Sequence, residues 1–365
     1  MTRWDRTRPI APPIRTAVGF LLVAAALGIA GCSATPTAPV TSAAPTGTPT
    51  PTATPTAEPE VNPGGTAPPQ AFGGDCNAVF TASDVSSVGG WEPGAAVGFV
   101  NTVPDMALVH QVGGLGCVWS PADGTEGYLQ VTVVPQKILS NELENGTTCF
   151  LQYDKTYICA VDIESNGYHL SANLTTANTS SYEDANLASA TLAQIFTAHA
   201  EAQPKAKVLD SRDGSWPLDF TCRDLDRKAK VGKALDNPGL ELSDGGGDVQ
   251  VTAAETDLWG GRPFLRCYWR QDEGAAGAVS QLTIAVLGGA AWTQLEVAAL
   301  PGAEEVAVDG AERAFVVTDP EGSGSDVTEL HIFDGVNWFV LTSESSEPSA
   351  LYPAVPALIK GLGKL

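Results

Sequence analysis

Two stretches of the chain alternate apolar and polar side chains with the period of two that marks a β-strand. They are residues 128–134 (YLQVTVV) and residues 280–287 (SQLTIAVL). Each is followed by a turn dipeptide, Asn166-Gly167 in the first case and Asp334-Gly335 in the second, and then by an aromatic strand. Asn-Gly and Asp-Gly adopt the positive φ angles that tight hairpins need. The pattern therefore predicts antiparallel hairpins in two separate parts of the chain.

Helical patterns surround these strands. Residues 81–84 (TASD) form a capping-box signature, and residues 223–235 are charged and compatible with a helix. Apolar positions recur at helical spacing in 187–200 and 349–361, and a further helix is predicted at 289–300. The strand–helix alternation of a parallel sheet is not present in this pattern. We therefore predict an α+β fold in which each mainly antiparallel sheet carries its helices on one face.

The order of cysteines and strands repeats within the chain. Cys76 is followed by Cys117-Val118-Trp119, and Cys222 is followed by Cys267-Tyr268-Trp269. In both halves an alternating strand, a hairpin turn and a closing helix come next. Five features in the same order predict a duplicated domain. We expect the tryptophans of these strands, and Trp338, to pack in the cores rather than to form a ligand platform.

The length of the chain agrees with two domains, because about 290 residues exceed what one hydrophobic core usually serves. The predicted first domain spans residues 76–203 and the second spans residues 220–365. The prolines and polar residues of 204–219 predict a linker between them. Upstream, residues 1–31 are predicted to be a signal peptide and residues 32–75 a disordered tether.

Six cysteines that follow the tether can pair completely, and six cysteines allow 15 pairings. If the second half folds alone, its bridge is Cys222–Cys267, and the repeat makes Cys76–Cys117 the equivalent bridge. Cys149–Cys159 is then the remaining pair, across a predicted hairpin. A zinc site is not indicated, since the chain has no Cys-x-x-Cys and its histidines are isolated. We expect structural disulfides, no metal and no cofactor.

The N-terminus carries a targeting pattern. Four arginines precede an uncharged apolar stretch at 17–30, which ends at Gly31-Cys32. The run from Thr16 to Gly31 has 16 residues, which at about 1.5 Å each is too short to span a bilayer comfortably, so it fits the apolar region of a signal peptide. Two alternatives stay open: an ordinary signal peptide, or an uncleaved anchor in which Cys32 is incidental.

The segment after Cys32 is rich in proline and threonine and contains almost no large apolar side chain. Such a sequence cannot form a helix or a sheet ladder, and it predicts an extended spacer. Without residues 1–31 the chain keeps 16 basic and 41 acidic residues, a net charge of −25. This sign argues against binding of nucleic acid and against a basic patch that docks on an anionic membrane.

The motifs together resemble those of actinobacterial cell-envelope lipoproteins. Ile29-Ala30-Gly31-Cys32 resembles a lipobox, which implies cleavage before Cys32 and acylation of its sulfur. The early cysteine, the Cys-x-Trp strand, the hairpin and the final helix are similar to the cysteine-bridged lipoprotein domains of unknown function. They are more distantly similar to extracellular sensor domains of mycobacterial receptor Ser/Thr kinases. The Thr-Pro runs are similar to O-glycosylated stalks, and whether the tether is glycosylated stays open.

Motifs of catalysis are missing from the sequence. It has no Gly-x-Ser-x-Gly, no Ser-x-x-Lys and no His-Glu-x-x-His. The histidines, His110, His169, His199 and His331, fall in separate predicted elements. Two acidic loops, at 244–248 and 319–326, carry oxygen ligands but do not match an EF-hand, and we interpret them as turns.

The sequence therefore predicts a non-enzymatic protein attached to the extracytoplasmic face of the cell membrane through a lipid on Cys32. Its predicted role is a binding, scaffold or sensor-type module for an envelope protein, glycan or lipid, with no nucleic acid as partner. Two alternatives stay open: a solute-binding lipoprotein of a transporter and a carboxylate-dependent wall hydrolase. No ligand-binding residue can be assigned from the sequence.

Overall fold

Six strands of the first half form one antiparallel sheet in the computed structural model. They are β1 (Val97–Gly98), β2 (Leu115–Trp119), β3 (Tyr128–Pro135), β4 (Gly146–Gln152), β5 (Thr156–Ser165) and β6 (Tyr168–Thr175). The order across the sheet is β1-β2-β3-β6-β5-β4. The structure describes residue 62 and residues 64–139, 143, 145–152, 156–176, 181–209, 212–243, 252–259, 264–271, 279–318, 327–343 and 347–363.

The helices of the first half are α1 (Cys76–Val79), α2 (Ala82–Gly89), α3 (Pro104–Gln111) and α4 (Tyr182–Glu201). The predicted capping box is confirmed: the Thr81 side chain accepts from the Asp84 backbone N–H, and the Asp84 carboxylate accepts from the Thr81 backbone N–H. Helices α1, α2 and α4 bury their apolar sides against one face of the sheet, in a core that contains Phe80, Trp119 and Phe196.

The second half forms a seven-stranded antiparallel sheet. Its strands are β7 (Leu240–Ser243), β8 (Phe264–Gln271), β9 (Gln281–Leu287), β10 (Glu304–Val306), β11 (Arg313–Thr318), β12 (Thr328–Asp334) and β13 (Asn337–Ser343). Its helices are α5 (Cys222–Ala229), α6 (Val231–Ala234), α7 (Ala253–Trp259), α8 (Gln294–Ala298) and α9 (Val355–Leu362). The strand order is β7-β8-β9-β13-β12-β11-β10.

The two sheets have the same topology. Matching β1–β3 to β7–β9, and β4, β5 and β6 to β11, β12 and β13, reproduces the order of one sheet in the other, with β10 as an extra edge strand. This confirms the α+β prediction of two similar halves. The helix predicted at 289–300 is present as a short 3-10 turn followed by α8. Helices α3 and α7 were not predicted.

The two halves are joined by a shared core. The first sheet carries α1, α2 and α4 on one face, the second sheet carries α5, α6 and α9 on one face, and the opposite faces turn toward each other with α3 and α7 between them. Leu108 and Val134 from the first half pack in one cluster with Leu287, Trp292 and Trp338 from the second. Residues Pro59–Leu365 consequently form one compact unit. None of the helices among the described residues is long and apolar enough to cross a membrane.

Two predicted boundaries shift in the structure. The tether was predicted to end at residue 75, yet Asn62 and residues 64–75 lie on the folded unit, and Ala71 and Phe72 are buried in the first core. The predicted linker, 204–219, also contributes core residues, because Trp216 and Leu218 pack in the second core. Both segments contain prolines, and their few apolar side chains pack in the two cores and attach the segments to the folded unit.

Candidate functional site

All three predicted disulfide bonds are present. The Cα–Cα distances are 5.8 Å for Cys76–Cys117, 5.5 Å for Cys222–Cys267 and 4.1 Å for Cys149–Cys159. The first two bridges are equivalent, since each ties the first helix of a half to the second strand of its sheet. The third bridge clamps β4 to β5. The predicted lipidation site Cys32 and the two acidic loops, 244–248 and 319–326, lie outside the described residues.

Two of the four histidines lie next to carboxylates. The Nε2 atom of His169 is 3.2 Å from Asp162 Oδ1, and the Nε2 atom of His331 is 3.1 Å from Glu329 Oε2. Both imidazoles are fully buried. His169 and Asp162 are diagonal neighbours across β5 and β6, since the register set by the Asn166-Gly167 turn puts Asp162 opposite Ser171 and His169 opposite Glu164. That turn was the signal from which the sequence could have placed the pair together.

The other two histidines have backbone partners. His110 in α3 donates through Nε2 to the Pro68 carbonyl at 2.7 Å, and burial lowers the pKa of its imidazole. His199 in α4 lies 2.8 Å through Nδ1 from the Val79 carbonyl. Both contacts join separate segments of the first half. Each of the four histidines therefore lies in a different element, as the sequence indicated, and contacts a different partner.

A reciprocal pair of acidic residues joins the two halves. Asp105 in α3 and Glu255 in α7 each lie 12 residues before the bridge cysteine of their half, Cys117 and Cys267. Helix α7 packs on β3 and β6 of the first sheet, whereas α3 packs on β9 of the second. Each half thus presents one carboxylate to the other. The common spacing of 12 residues was a signal of this pair that sequence reasoning missed.

Glu255 is met by neutral donors. Its carboxylate accepts from Thr132 Oγ1 at 2.8 Å, from Gln130 Nε2 at 3.1 and 3.3 Å, and from the Thr252 backbone N–H at 2.7 Å. The residue is only 4% exposed. Burial raises the pKa of Glu255, and the hydrogen bonds oppose this effect without cancelling it. Protein donors therefore occupy both oxygens of this buried carboxylate.

A serine continues this polar contact. Ser171 Oγ accepts from the Ala254 backbone N–H at 3.2 Å and donates to Asp162 Oδ1 at 2.5 Å. The same Asp162 oxygen faces His169. Ser171 and His169 therefore both bind the aspartate, and the serine hydroxyl does not bind the imidazole. This geometry is that of an interior hydrogen-bond network and differs from the serine–histidine–aspartate chain of a hydrolase.

Asp105, in contrast, meets a cation. It forms an ion pair with Arg266 of β8, and both side chains are mostly buried. Burial raises the pKa of Asp105, Arg266 lowers it, and the nearby Glu329 raises it further. The guanidinium of Arg266 also lies 5.2 Å from the centre of the Tyr268 ring. Asp105 of the first half therefore holds a cationic side chain of the second half in place.

Arg266 is also part of a pocket of about 450 Å³ on the second half. We call it the arginine pocket. The wall of the pocket contains the aromatic ring of a tyrosine, three hydroxyl groups, a disulfide and a second arginine. The lining residues are Thr221, Cys222, Arg223, Leu242, Ser243, Arg266, Cys267 and Tyr268. Thr221 and Arg223 belong to the start of α5, Ser243 ends β7, and Arg266 and Tyr268 lie on β8. Arginine side chains suit a carboxylate or a phosphate.

A second pocket, of about 400 Å³, lies on the first half beside the end of the tether segment. Phe72, Tyr168 and Leu209 line its apolar part, and Lys205 and Lys207 are exposed at its wall. The tyrosine hydroxyl is occupied, since it donates to the Pro204 carbonyl at 3.1 Å. This pocket has fewer oriented polar groups than the arginine pocket.

No protein-family model matches this chain, and no curated protein and no solved structure is significantly similar to it. Within the described residues, His, Cys, Asp and Glu side chains do not gather in groups of three or more that could hold a metal ion. The pocket that contains Arg223 and Arg266, of which Arg266 is paired with Asp105 of the first half, is the candidate functional site.

Proposed function

We propose that the protein is a lipid-anchored, non-catalytic binding module on the extracytoplasmic face of the cell membrane. Its arginine pocket receives the anionic group of an envelope ligand or partner. The observation that carries this proposal is that two arginines, Arg223 and Arg266, line one concave site of a strongly acidic protein.

The pocket has features of a preorganised anion site. Arg266 is fixed by Asp105 on one side and lies over the Tyr268 ring on another. Arg223 is exposed at the first turn of α5, where the positive end of the helix dipole also favours an anion. Guanidinium groups bind carboxylates and phosphates through paired hydrogen bonds. A ligand would therefore meet one rigid and one adaptable arginine.

The overall charge makes such a pocket selective. With a net charge of −22 for the whole chain, most of the surface repels anions. An anionic ligand is attracted only where cationic groups are locally concentrated. A glycan or lipid headgroup that carries phosphate or carboxylate has this chemistry, whereas a neutral sugar does not.

The surroundings of the buried carboxyl groups whose pKa is raised support a role without catalysis. A carboxylate-dependent hydrolase needs an acid with a raised pKa that the substrate can touch. Among the buried carboxyl groups with a raised pKa, Glu255 is occupied by Gln130, Thr132 and the backbone of Thr252, and Asp105 is paired with Arg266. The hydrogen bonds of Glu255 serve the contact between the two halves instead.

The location rests on two features of the chain. Three disulfide bonds are typical of proteins that fold outside the reducing cytoplasm. The apolar N-terminal stretch and Cys32 provide the signal and the acylation site of the proposed anchor. More than one acyl chain would hold the protein stably at the membrane, since a single chain binds only marginally.

The pocket is tested by isothermal titration calorimetry with two probes, glycerol 3-phosphate and N-acetylmuramic acid. We expect at least one of them to bind with one site per chain. Arg223→Gln is expected to weaken that binding about tenfold or more, because it removes a charge-assisted hydrogen bond. Arg227→Gln is the matched control, since Arg227 lies on the same helix but outside the lining of the pocket.

Two results would count against the pocket. One is that neither probe binds, and the other is that both arginine variants weaken binding equally, which would indicate only a general effect of charge. The anchor is tested separately by labelling cells with an alkyne-bearing fatty acid. We expect the protein to carry the label, and Cys32→Ala to lose it and to appear in the culture medium, whereas Ser33→Ala keeps it. A labelled Cys32→Ala variant would refute the anchor.

A further inference from the structure

The edges of the two sheets differ in length and charge. One edge of the first sheet is β1, which has two residues, and one edge of the second is β7, which has four. The other edge of the second sheet is β10, with three residues of which two are glutamates. The remaining edge is β4, and it is seven residues long. Short or charged edges resist pairing with other strands, so three of the four edges are protected.

The composition of β4 provides no such protection. Its sequence, Gly-Thr-Thr-Cys-Phe-Leu-Gln, contains no charged residue and no proline. Phe150 is 52% exposed and Leu151 is 50% exposed, one on each face of the strand. A long, uncharged edge strand with exposed apolar side chains favours the addition of another strand.

In the second half, a strand lies at the position that is equivalent to the outer edge of β4. Strand β11 corresponds to β4, and its outer edge is covered by β10, with Glu305 opposite Phe315. In the described part of the first half, β5 is the neighbour that pairs with β4. Among the described residues of the first half, no strand takes the place beside β4 that β10 takes beside β11.

The outward backbone groups of β4 can be assigned from the register. Cys149 lies opposite Cys159 with a Cα–Cα distance of 4.1 Å, which is typical of a pair that does not exchange hydrogen bonds. The Thr176 N–H donates to the Tyr157 carbonyl, so the odd-numbered residues of β5 direct their backbone groups away from β4. Thr147, Cys149 and Leu151 consequently direct their N–H and C=O groups to the open edge.

We propose that two copies of this chain pair through β4, antiparallel and centred on Cys149. In this register Cys149 lies opposite its own counterpart, and Thr147 lies opposite Leu151 of the second copy. All three outward residues then find an outward partner, which provides about six backbone hydrogen bonds. Thr148 lies opposite Phe150 of the second copy, and a β-branched residue beside an aromatic ring is a favourable cross-strand pair.

The distribution of charge favours β4 as the place where two copies can meet. The chain has 42 acidic and 20 basic residues, so most surfaces of two copies repel each other. Strand β4 is uncharged, and its pairing with itself brings no like charges together within the strand. The disulfide to β5 holds the strand in the extended form that pairing requires. The dimer would contain one continuous sheet of 12 strands, twice the six-stranded sheet of one copy.

The test uses charge pairs at the two facing positions, whose side chains are exposed. Sedimentation equilibrium is measured on the chain from residue 33, which keeps the whole compact unit, produced with its disulfides formed. We expect a concentration-dependent dimer. The variants T148K/F150K and T148E/F150E should each weaken it by about tenfold or more, since like charges face each other twice. A mixture of the two variants should form the heterodimer, because each lysine then faces a glutamate.

Three outcomes would overturn the proposal. The unaltered chain could remain monomeric at all soluble concentrations, which would leave the edge to a different partner. Both double variants could dimerise as well as the unaltered chain, which would place the contact elsewhere. The mixture could also fail to pair although each variant alone is monomeric, which would exclude this register. Near-ultraviolet circular dichroism of each variant checks that the fold is intact.

Discussion

The two sheets turn equivalent faces toward each other but fill them with different chemistry. The face of the first sheet is polar, with Thr132, Asp162, Glu164, His169 and Ser171, whereas the same positions of the second sheet are Ala285, His331, Phe333, Trp338 and Val340. In the second half the Trp338 ring stacks with His331 and with Phe333, at distances of 5.8 Å and 6.0 Å between ring centres. The two halves thus bury equivalent sheet faces with different side chains, mainly polar in the first half and mainly aromatic or aliphatic in the second.

The difference shows how far side chains can diverge while topology is kept. Strand order and register are set by backbone pairing and by the alternation of faces, and both are common to the two halves. The polar face depends on hydrogen bonds, whose net contribution to stability is small, whereas the aromatic face depends on area removed from water. We therefore expect the two faces to respond unequally to equivalent substitutions.

The largest expected effect is at the aromatic face. Trp338→Ala removes a fully buried ring and should lower the free energy of unfolding by about 4 kcal/mol. His169→Ala, at the equivalent position of the polar face, should lower it by only about 1–2 kcal/mol, mainly through the lost contact with Asp162. Urea unfolding followed by tryptophan fluorescence and circular dichroism measures both. An equal or larger loss for His169→Ala would contradict the proposed inequality of the faces.

The ion pair between the halves should give the next largest effect. Arg266→Met leaves the Asp105 carboxylate mostly buried without its cation, and we expect a loss of about 3 kcal/mol in the free energy of unfolding. Adding Asp105→Leu should recover part of this loss, because the unpaired charge is then removed. If Asp105→Leu destabilises the Arg266→Met variant as much as it destabilises the unaltered chain, the two residues do not act as a pair.

The buried glutamate should make the stability depend on pH. The pKa of Glu255 in the folded protein is raised above its ordinary value of 4.5 by burial. The stability that protonated Glu255 provides is therefore fully present below pH 4.5 and is lost as pH rises through the raised pKa. Glu255→Gln resembles the protonated form and should not show this loss. The unaltered chain should lose stability relative to Glu255→Gln as pH rises above 4.5, apart from a constant offset.

Glu305 provides a control of opposite sign for that measurement. It is exposed, and its hydrogen bonds with Arg313 lower its pKa. The unaltered chain should therefore lose stability relative to Glu305→Gln as pH falls. Urea unfolding at a series of pH values compares the three proteins. The same pH trend in both comparisons would show that Glu255 is not the source of the effect.

The smallest expected effect compares the two helix caps, which are alike in both halves. The Asp84 N–H donates to Thr81 Oγ1 and the Asp224 N–H donates to Thr221 Oγ1, each at 3.2 Å. Thr81→Ala and Thr221→Ala should each cost about 1 kcal/mol of stability. Costs that differ several-fold between the two variants would show that the caps, like the sheet faces, have diverged.

Local patterns predicted much of this fold. The bridge pairs, the capping box at Thr81 and the turn at Asn166-Gly167 depend on residues close in sequence or on the internal repeat, and the structure contains all of them. The core positions of Trp119 and Trp269 were also predicted, because strand alternation alone determines which side they face.

The contact between the halves could not be predicted in the same way. Helix α3 is buried on most of its surface, so it lacks the polar side that marks an amphipathic helix. Asp105 and Arg266 are 161 residues apart, and no local pattern connects them. The arginine pocket combines α5, β7 and β8 and depends on that contact. The repeat predicted two similar halves but not the surface on which they meet.

The attachment of the tether segment has a mechanical consequence. Asn62 donates to the Trp292 carbonyl of the second half at 2.6 Å, and Arg212 donates to the Gly64 carbonyl at 2.8 Å, before the chain enters the first half. Tension that reaches the protein through its N-terminal segment is therefore applied first to the second half and then to the first. Such a load would strain the junction of the two halves before it could peel a strand from either sheet.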